Sequence, residues 1–194
     1  MIILASNSAS RKAMLDAAGV PYRAVPADID ERAVEADMAD APCPQIAQRL
    51  SIAKAEAVSG KHIDQLVLGS DSLVVVNGRR FDKPASRTEA AEHLRFFSGK
   101  MIELHSAAAL VRGGTCVWSA CDAARLHVRD LSDDFIEHYL AAEWPEVSFC
   151  VGVFRIEAMG VQLFSQIEGD QFTVLGMPLL PVLGALREYG ELLS

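Results

Sequence analysis

Apolar and polar positions along this chain follow two periods, one of strands and one of helices. Residues 1–5, MIILA, have no polar position and predict a short buried strand. A helix follows over about 8–18 and stops at Gly19, the residue type that ends helices in a left-handed conformation. Residues 22–26 predict a second strand, and the acidic, proline-containing stretch 27–43 a loop. Between Pro44 and Gly60, the residues Ile46, Leu50, Ala53 and Ala57 recur at helical spacing. From Leu66 to Phe81 two apolar runs are broken by Ser70, Asp71 and Ser72, and Asn77-Gly78 signals a hairpin. Ser86 and Glu89 form a capping box ahead of a helix that Gly99 ends. Residues 101–112 and 115–128 predict two long strands, Ser132 caps a helix to 143, residues 160–169 predict a strand and 178–190 a helix. Helices alternate with strands while hairpins interrupt, so an α/β fold with a mixed sheet is expected. No repeat or low-complexity linker divides residues 1–194, so a single domain is expected, with no internal boundary readable.

Composition narrows the function. The formal net charge of −8 argues against nonspecific binding to nucleic-acid polymers or anionic membranes. It leaves room for a small anion in a local basic pocket. No apolar run approaches the ~20 residues of a membrane span, and the short apolar start lacks a basic flank, so a cytoplasmic protein is expected. Cys43, Cys116, Cys121 and Cys150 form no C-x-x-C pair and are expected to be free thiols. The histidines show neither metal nor triad spacing, and no G-x-S-x-G elbow occurs.

The chemistry begins in LASNSASRKAML, residues 4–15. A strand, a turn of small residues and a helix N-terminus make a place for an anion. Arg11 and Lys12 stand in the first turn, where the helix dipole favours acids. Either both cations are solvated, or an anion sits among them. Lys54 borders the apolar stripe of its helix and either snorkels or reaches a phosphate. Asp71 interrupts an apolar run, and a buried carboxylate needs a partner: a general-base or metal role would supply one, and a turn aspartate is the alternative. Lys83, in FDKP, follows the hairpin, and Glu168 and Asp170 lie at a strand end where hard oxygen ligands suit a metal.

These pieces, in order over nearly the whole chain, resemble the Maf family of nucleoside triphosphate pyrophosphatases. LASNSASRKAML is similar to the family's S-x-S-x-R opening, DIDE (28–31) to its acidic loop, and RLSIAKAEAV to its phosphate-lysine helix. GSDSLVVVNG is similar to the segment with the catalytic aspartate, DKP to a G-K-P, and IEGDQFTVLGMPL to the closing motif. The resemblance implies a twisted mixed sheet in two lobes around a central cleft, as in the inosine triphosphate pyrophosphatases. It implies release of pyrophosphate from a nucleoside triphosphate, with Mg²⁺ or Mn²⁺, by a cytosolic homodimer acting in nucleotide-pool cleaning or cell-division arrest. Asp71 would be the catalytic residue, Ser8, Arg11, Lys12, Lys54 and Lys83 would hold phosphates, and Asp71, Glu31 and Glu168 would hold the metal. Glu157 resembles the branch linked to 7-methyl-GTP, where a carboxylate can accept from the N1–H and N2–H₂ of guanine; the dTTP and UTP branch carries glutamine. The chain departs from the pattern at Ser10, at Asp82, and at Phe149, where many members have aspartate. Those departures motivate the alternative of a catalytically weak relative that binds a nucleotide or a partner protein in septum control.

Overall fold

The computed structural model describes residues 1–193. Seven strands pair in one mixed sheet flanked by helices, in the order β2-β1-β3-β5-β6-β7, with β4 on β3. The strands are β1 (Ile2–Leu4), β2 (Tyr22–Ala24), β3 (Val67–Val76), β4 (Arg79–Phe81), β5 (Met101–Arg112), β6 (Thr115–Val128) and β7 (Phe164–Glu168). The helices are α1 (Ala9–Ala17), α2 (Glu31–Ala36), α3 (Cys43–Ser59), α4 (Arg87–Phe97), α5 (Asp133–Glu143), α6 (Gln171–Val174) and α7 (Leu179–Glu188). No helix among the described residues is long and apolar enough to cross a membrane. All four cysteines are free thiols.

The chain forms two compact units. The first comprises residues 1–72, 105–122 and the segment from Gln171 onward; the second comprises 73–104 and 123–170. In the first, β1 pairs in parallel with β2 on one side and β3 on the other. Alternation sets its two faces. Ile2, Leu4, Leu66, Leu68 and Leu110 pack with Met14, Leu15, Val182 and Leu186. Ile3, Val67 and Val111 point the other way, to Ala55 and Val58 of α3. The chain passes from β1 to β2 on one side and then from β2 to β3 on the other side of β1, making the carboxyl end of β1 a switch point, the place where α/β sheets hold ligands.

In the second unit, Phe81, His93, Phe96 and Phe97 cluster, with His93 edge-on to Phe81 at 5.0 Å. His93 is 8% exposed, and its Nδ1 has no hydrogen-bond partner among the described residues. Burial, with Arg79 beside it, pulls its pKa below 6.5 against the pull of Glu89, Glu92 and Asp82. The unfolded chain therefore takes this proton at a higher pH than the folded one. Stability falls as pH drops below about 6.5, the unfolded value. Melting curves at pH 7.5 and 5.5 should show a smaller acid loss of Tm in His93→Leu than in the wild type; equal losses would refute the burial argument.

Three local expectations change. Ser70, Asp71 and Ser72 do not break the strand: β3 is continuous, because each of the three polar side chains finds a partner within the fold. The stretch 27–43 holds a helix, α2, whose N-cap Asp30 accepts from the Ala33 N–H at 3.0 Å. The strand expected over 160–169 begins as a 3₁₀ turn, Met159–Leu163, and extends only from Phe164.

Candidate active site

Ser8 caps α1, its hydroxyl accepting from the Arg11 backbone N–H at 3.4 Å, and its own N–H donates to Ser6 Oγ at 3.1 Å. Ser8 and Ser10 hydroxyls lie 3.1 Å apart. No acidic residue stands in the first turn. The opening loop thus places three hydroxyls and the start of a helix at the carboxyl end of β1, a donor-rich place for an anion.

The two first-turn cations differ. Lys12 reaches back to Asn7 Oδ1 at 3.1 Å. Arg11 turns inward: Nε donates to the Gly176 carbonyl at 3.0 Å and Nη2 to Ser72 Oγ at 3.2 Å. The same carbonyl accepts from the Ser70 and Ser72 hydroxyls at 3.2 and 3.0 Å. Ser72 Oγ lies 3.0 Å from Ser106 Oγ, which donates to the Thr173 carbonyl. Gly176 has φ +103°, and a Cβ there would sit 3.3 Å from Ser72 Oγ, so the position takes glycine for both reasons. Burial pulls the Arg11 guanidinium below its usual value, while Asp71 and Glu31 push back.

Asp71 lies on the opposite face of β3 from Ser70 and Ser72, the face that carries Gly69. There α3 delivers Lys54. Its ammonium bonds to Asp71 Oδ1 and pairs with Glu31 Oε1, supplied by α2, at 2.9 Å. The lysine and aspartate side chains are 12% and 9% exposed. Burial raises the Asp71 pKa above 3.8; Lys54 and then Arg11 oppose the rise, and Glu31 adds to it. A buried carboxylate that holds a proton more readily than usual, beside fixed cations, has the character of a general base.

The first unit therefore gathers Ser8, Arg11, Lys12, Glu31, Lys54 and Asp71. The second holds the remaining candidates. Lys83 and Glu157 are exposed. Both act on the Cys150 thiol, pushed up to about 11 by burial and then Glu157, while Arg155 and Lys83 pull it down. Glu168 ends β7 and is engaged by His127 Nε2 at 3.0 Å and Gln166 Nε2 at 2.9 Å. No group of three or more His, Cys, Asp or Glu able to hold a metal occurs among the described residues.

Sequence reasoning missed Ser72, Ser106 and Gly176. Ser72 sits beside the conspicuous Asp71, but its role depends on a carbonyl 104 positions away. The only signal for Gly176 was its place in the closing motif.

A family model described as Maf-like protein matches residues 1–189. A nucleoside triphosphate pyrophosphatase of Nitrobacter hamburgensis is 45% identical over 98% of this chain and 95% of its own length. A 7-methyl-GTP pyrophosphatase of Rhizobium etli is also 45% identical, over 98% of this chain and 97% of its own. Among solved structures, a HAM1 protein from Coxiella burnetii matches at 15% identity and TM-score 0.42, covering 66% of this chain and 72% of that one. From its opening serines to the segment around Gly176, this chain belongs to the Maf-like protein family.

Proposed function

We propose that this chain hydrolyses a nucleoside triphosphate to the monophosphate and pyrophosphate, with Asp71 as general base. Support comes above all from the Lys54 ammonium, shared by Asp71 and Glu31, with the half-buried Arg11 also acting on Asp71. In the proposed step a water oxygen bonds to the α-phosphorus as the bond from that phosphorus to the β-bridging oxygen breaks. The water proton passes to Asp71, and the electron pair leaves with pyrophosphate. Ser8, Arg11, Lys12, Lys54 and Lys83 hold phosphate oxygens and offset the charge carried off by the leaving group. Arg11 is fixed by Gly176 and Ser72 before substrate arrives, so little reorganisation is needed.

The donor set suits a divalent ion. Glu31 and Asp71 already converge on one positive centre, the Lys54 ammonium, through hard oxygens. Mg²⁺ typically takes one or two carboxylates and completes its shell with water and substrate phosphates, so the lack of a third carboxylate is no obstacle. Glu31 and Asp71 would hold Mg²⁺ or Mn²⁺, with Glu168 a further candidate ligand. When bound, the ion supplies charge neutralisation at phosphate oxygens.

Relatives named for 7-methyl-GTP and for nucleoside triphosphates at large stand at equal identity, so similarity alone does not choose the base. Glu157 favours 7-methyl-GTP. Its carboxylate can accept from N1–H and N2–H₂ of the guanine edge and attracts the positive charge of the methylated ring.

Purified protein with Mg²⁺ or Mn²⁺ should release pyrophosphate and monophosphate from a panel of 7-methyl-GTP, GTP, dTTP and UTP, fastest from the first. Orthophosphate as product, or nucleotide binding without turnover, would overturn the enzymatic reading. A preference for dTTP and UTP would overturn the base assignment alone.

A further inference from the structure

Glu157 lies in a loop held in an unusual conformation. Gly152 and Val153 are both left-handed, at φ +83° and +58°. For a β-branched valine that conformation is strained and persists only where surrounding structure enforces it. Here α5 enforces it. Tyr139 donates its hydroxyl to the Val153 carbonyl at 3.0 Å. One turn further along the same helix face, the Glu143 carboxylate accepts from Arg155 Nε at 3.0 Å and from the Met159 backbone N–H at 3.3 Å. Both α5 side chains are buried, Glu143 to 5% exposure. Gly160 closes the loop on itself: a Cβ there would meet the Arg155 carbonyl oxygen at 2.4 Å.

Arg155 and Met159 stand two residues before and two after Glu157. One buried carboxylate thus grips both flanks of the residue assigned to the base, while the Glu157 side chain stays exposed. We propose that Glu143 is a positioning residue for nucleobase selectivity. It fixes the segment Arg155–Met159 and thereby the stance of the Glu157 carboxylate, with Tyr139 holding the entry at Val153. This rests on Glu157 as the base-reading residue.

Glu143→Gln tests it. Arg155 and the Met159 N–H are both donors, and an amide offers a single acceptor oxygen where the carboxylate offers two. One of the two grips is lost, and the NH₂ meets a donor. A charged hydrogen bond of this kind corresponds to about tenfold or more. The ratio of kcat/KM for 7-methyl-GTP over UTP should fall about tenfold, carried mainly by KM for 7-methyl-GTP. Tyr139→Phe, which keeps the ring in the core, should lower the ratio in the same direction. The Met159 amide should exchange hydrogen faster in Glu143→Gln. Equal losses on every substrate in both variants would mean that α5 only stabilises the unit, and would overturn the proposal. Glu157→Gln separates the two levels. If it changes the ratio while Glu143→Gln and Tyr139→Phe do not, the positioning role falls and the base assignment stands. If Glu157→Gln itself leaves the ratio unchanged, the base assignment falls, and the positioning role with it.

Discussion

Asp71→Asn is expected to lower kcat by roughly 10²–10⁴-fold, the usual worth of a general base, with a melting temperature equal to or above that of the wild type. Both halves follow from one fact. Asp71 is buried against α3, and burial raises its pKa above 3.8 despite Lys54 and Arg11. The folded protein therefore holds this proton more tightly than the unfolded chain. Between pH 3.8 and the folded value the native state binds more protons, so stability falls as pH rises through that window. At neutral pH the ionised carboxylate is a net burden on the fold, retained for what it does. Asparagine has the same shape and carries no charge, so it removes the burden together with the base. The wild-type kcat/KM profile should show an acid limb above the ordinary carboxylate range, and that limb should vanish in the residual activity of the variant. Near wild-type turnover in Asp71→Asn would end the base assignment. A melting temperature several degrees lower would show that Asp71 is needed to hold Lys54, not burdened by its surroundings.

Much of this was legible in the sequence, for a physical reason. Elements with a strong period survive any tertiary context: the unbroken apolar run Ile2–Leu4, the helical spacing of α3, and the caps at Ser86 and Ser132. Asp71 announced itself as a charge inside an apolar run. The continuity of β3 was not legible, because three polar residues in succession break a strand unless distant groups satisfy them. Those groups were Lys54 on α3 and the Gly176 carbonyl. Local pattern carries no information about partners so far away. Short elements were lost for the opposite reason. The helix α2 was lost in an acidic stretch that reads as loop, because six residues are too few to show a period. The site followed the same division. Residue types pointed to Lys54 and Asp71 separately, and only packing shows that they are one unit with Glu31.

That packing depends on a single glycine, and Gly69→Ala is expected to damage both stability and activity. Gly69 and Asp71 share a face of β3, two residues apart, and α3 lies directly on it. A Cβ on Gly69 would come within 2.0 Å of the Ser51 carbonyl oxygen and 2.9 Å of the Ala55 N. These are backbone atoms of a helix, which cannot rotate aside as a side chain can, so α3 itself must move. Overpacking of this kind costs about 1–3 kcal/mol or more. For a chain of this size that is a fall in Tm of roughly 2–10 °C. Lys54 lies between Ser51 and Ala55 on α3, so the displaced turn is the one that delivers the ammonium to Asp71. A misplacement of about 1 Å at a reacting centre costs on the order of 10²-fold, and kcat/KM should fall by about that much. Gly60→Ala is the control: it sits at the end of the same helix with helical φ of −59° and open space where its Cβ would go. It should leave both quantities within error of the wild type. A Gly69→Ala protein with unchanged Tm and activity would mean that α3 and β3 do not pack this closely, and the Lys54–Asp71–Glu31 cluster would lose its structural basis.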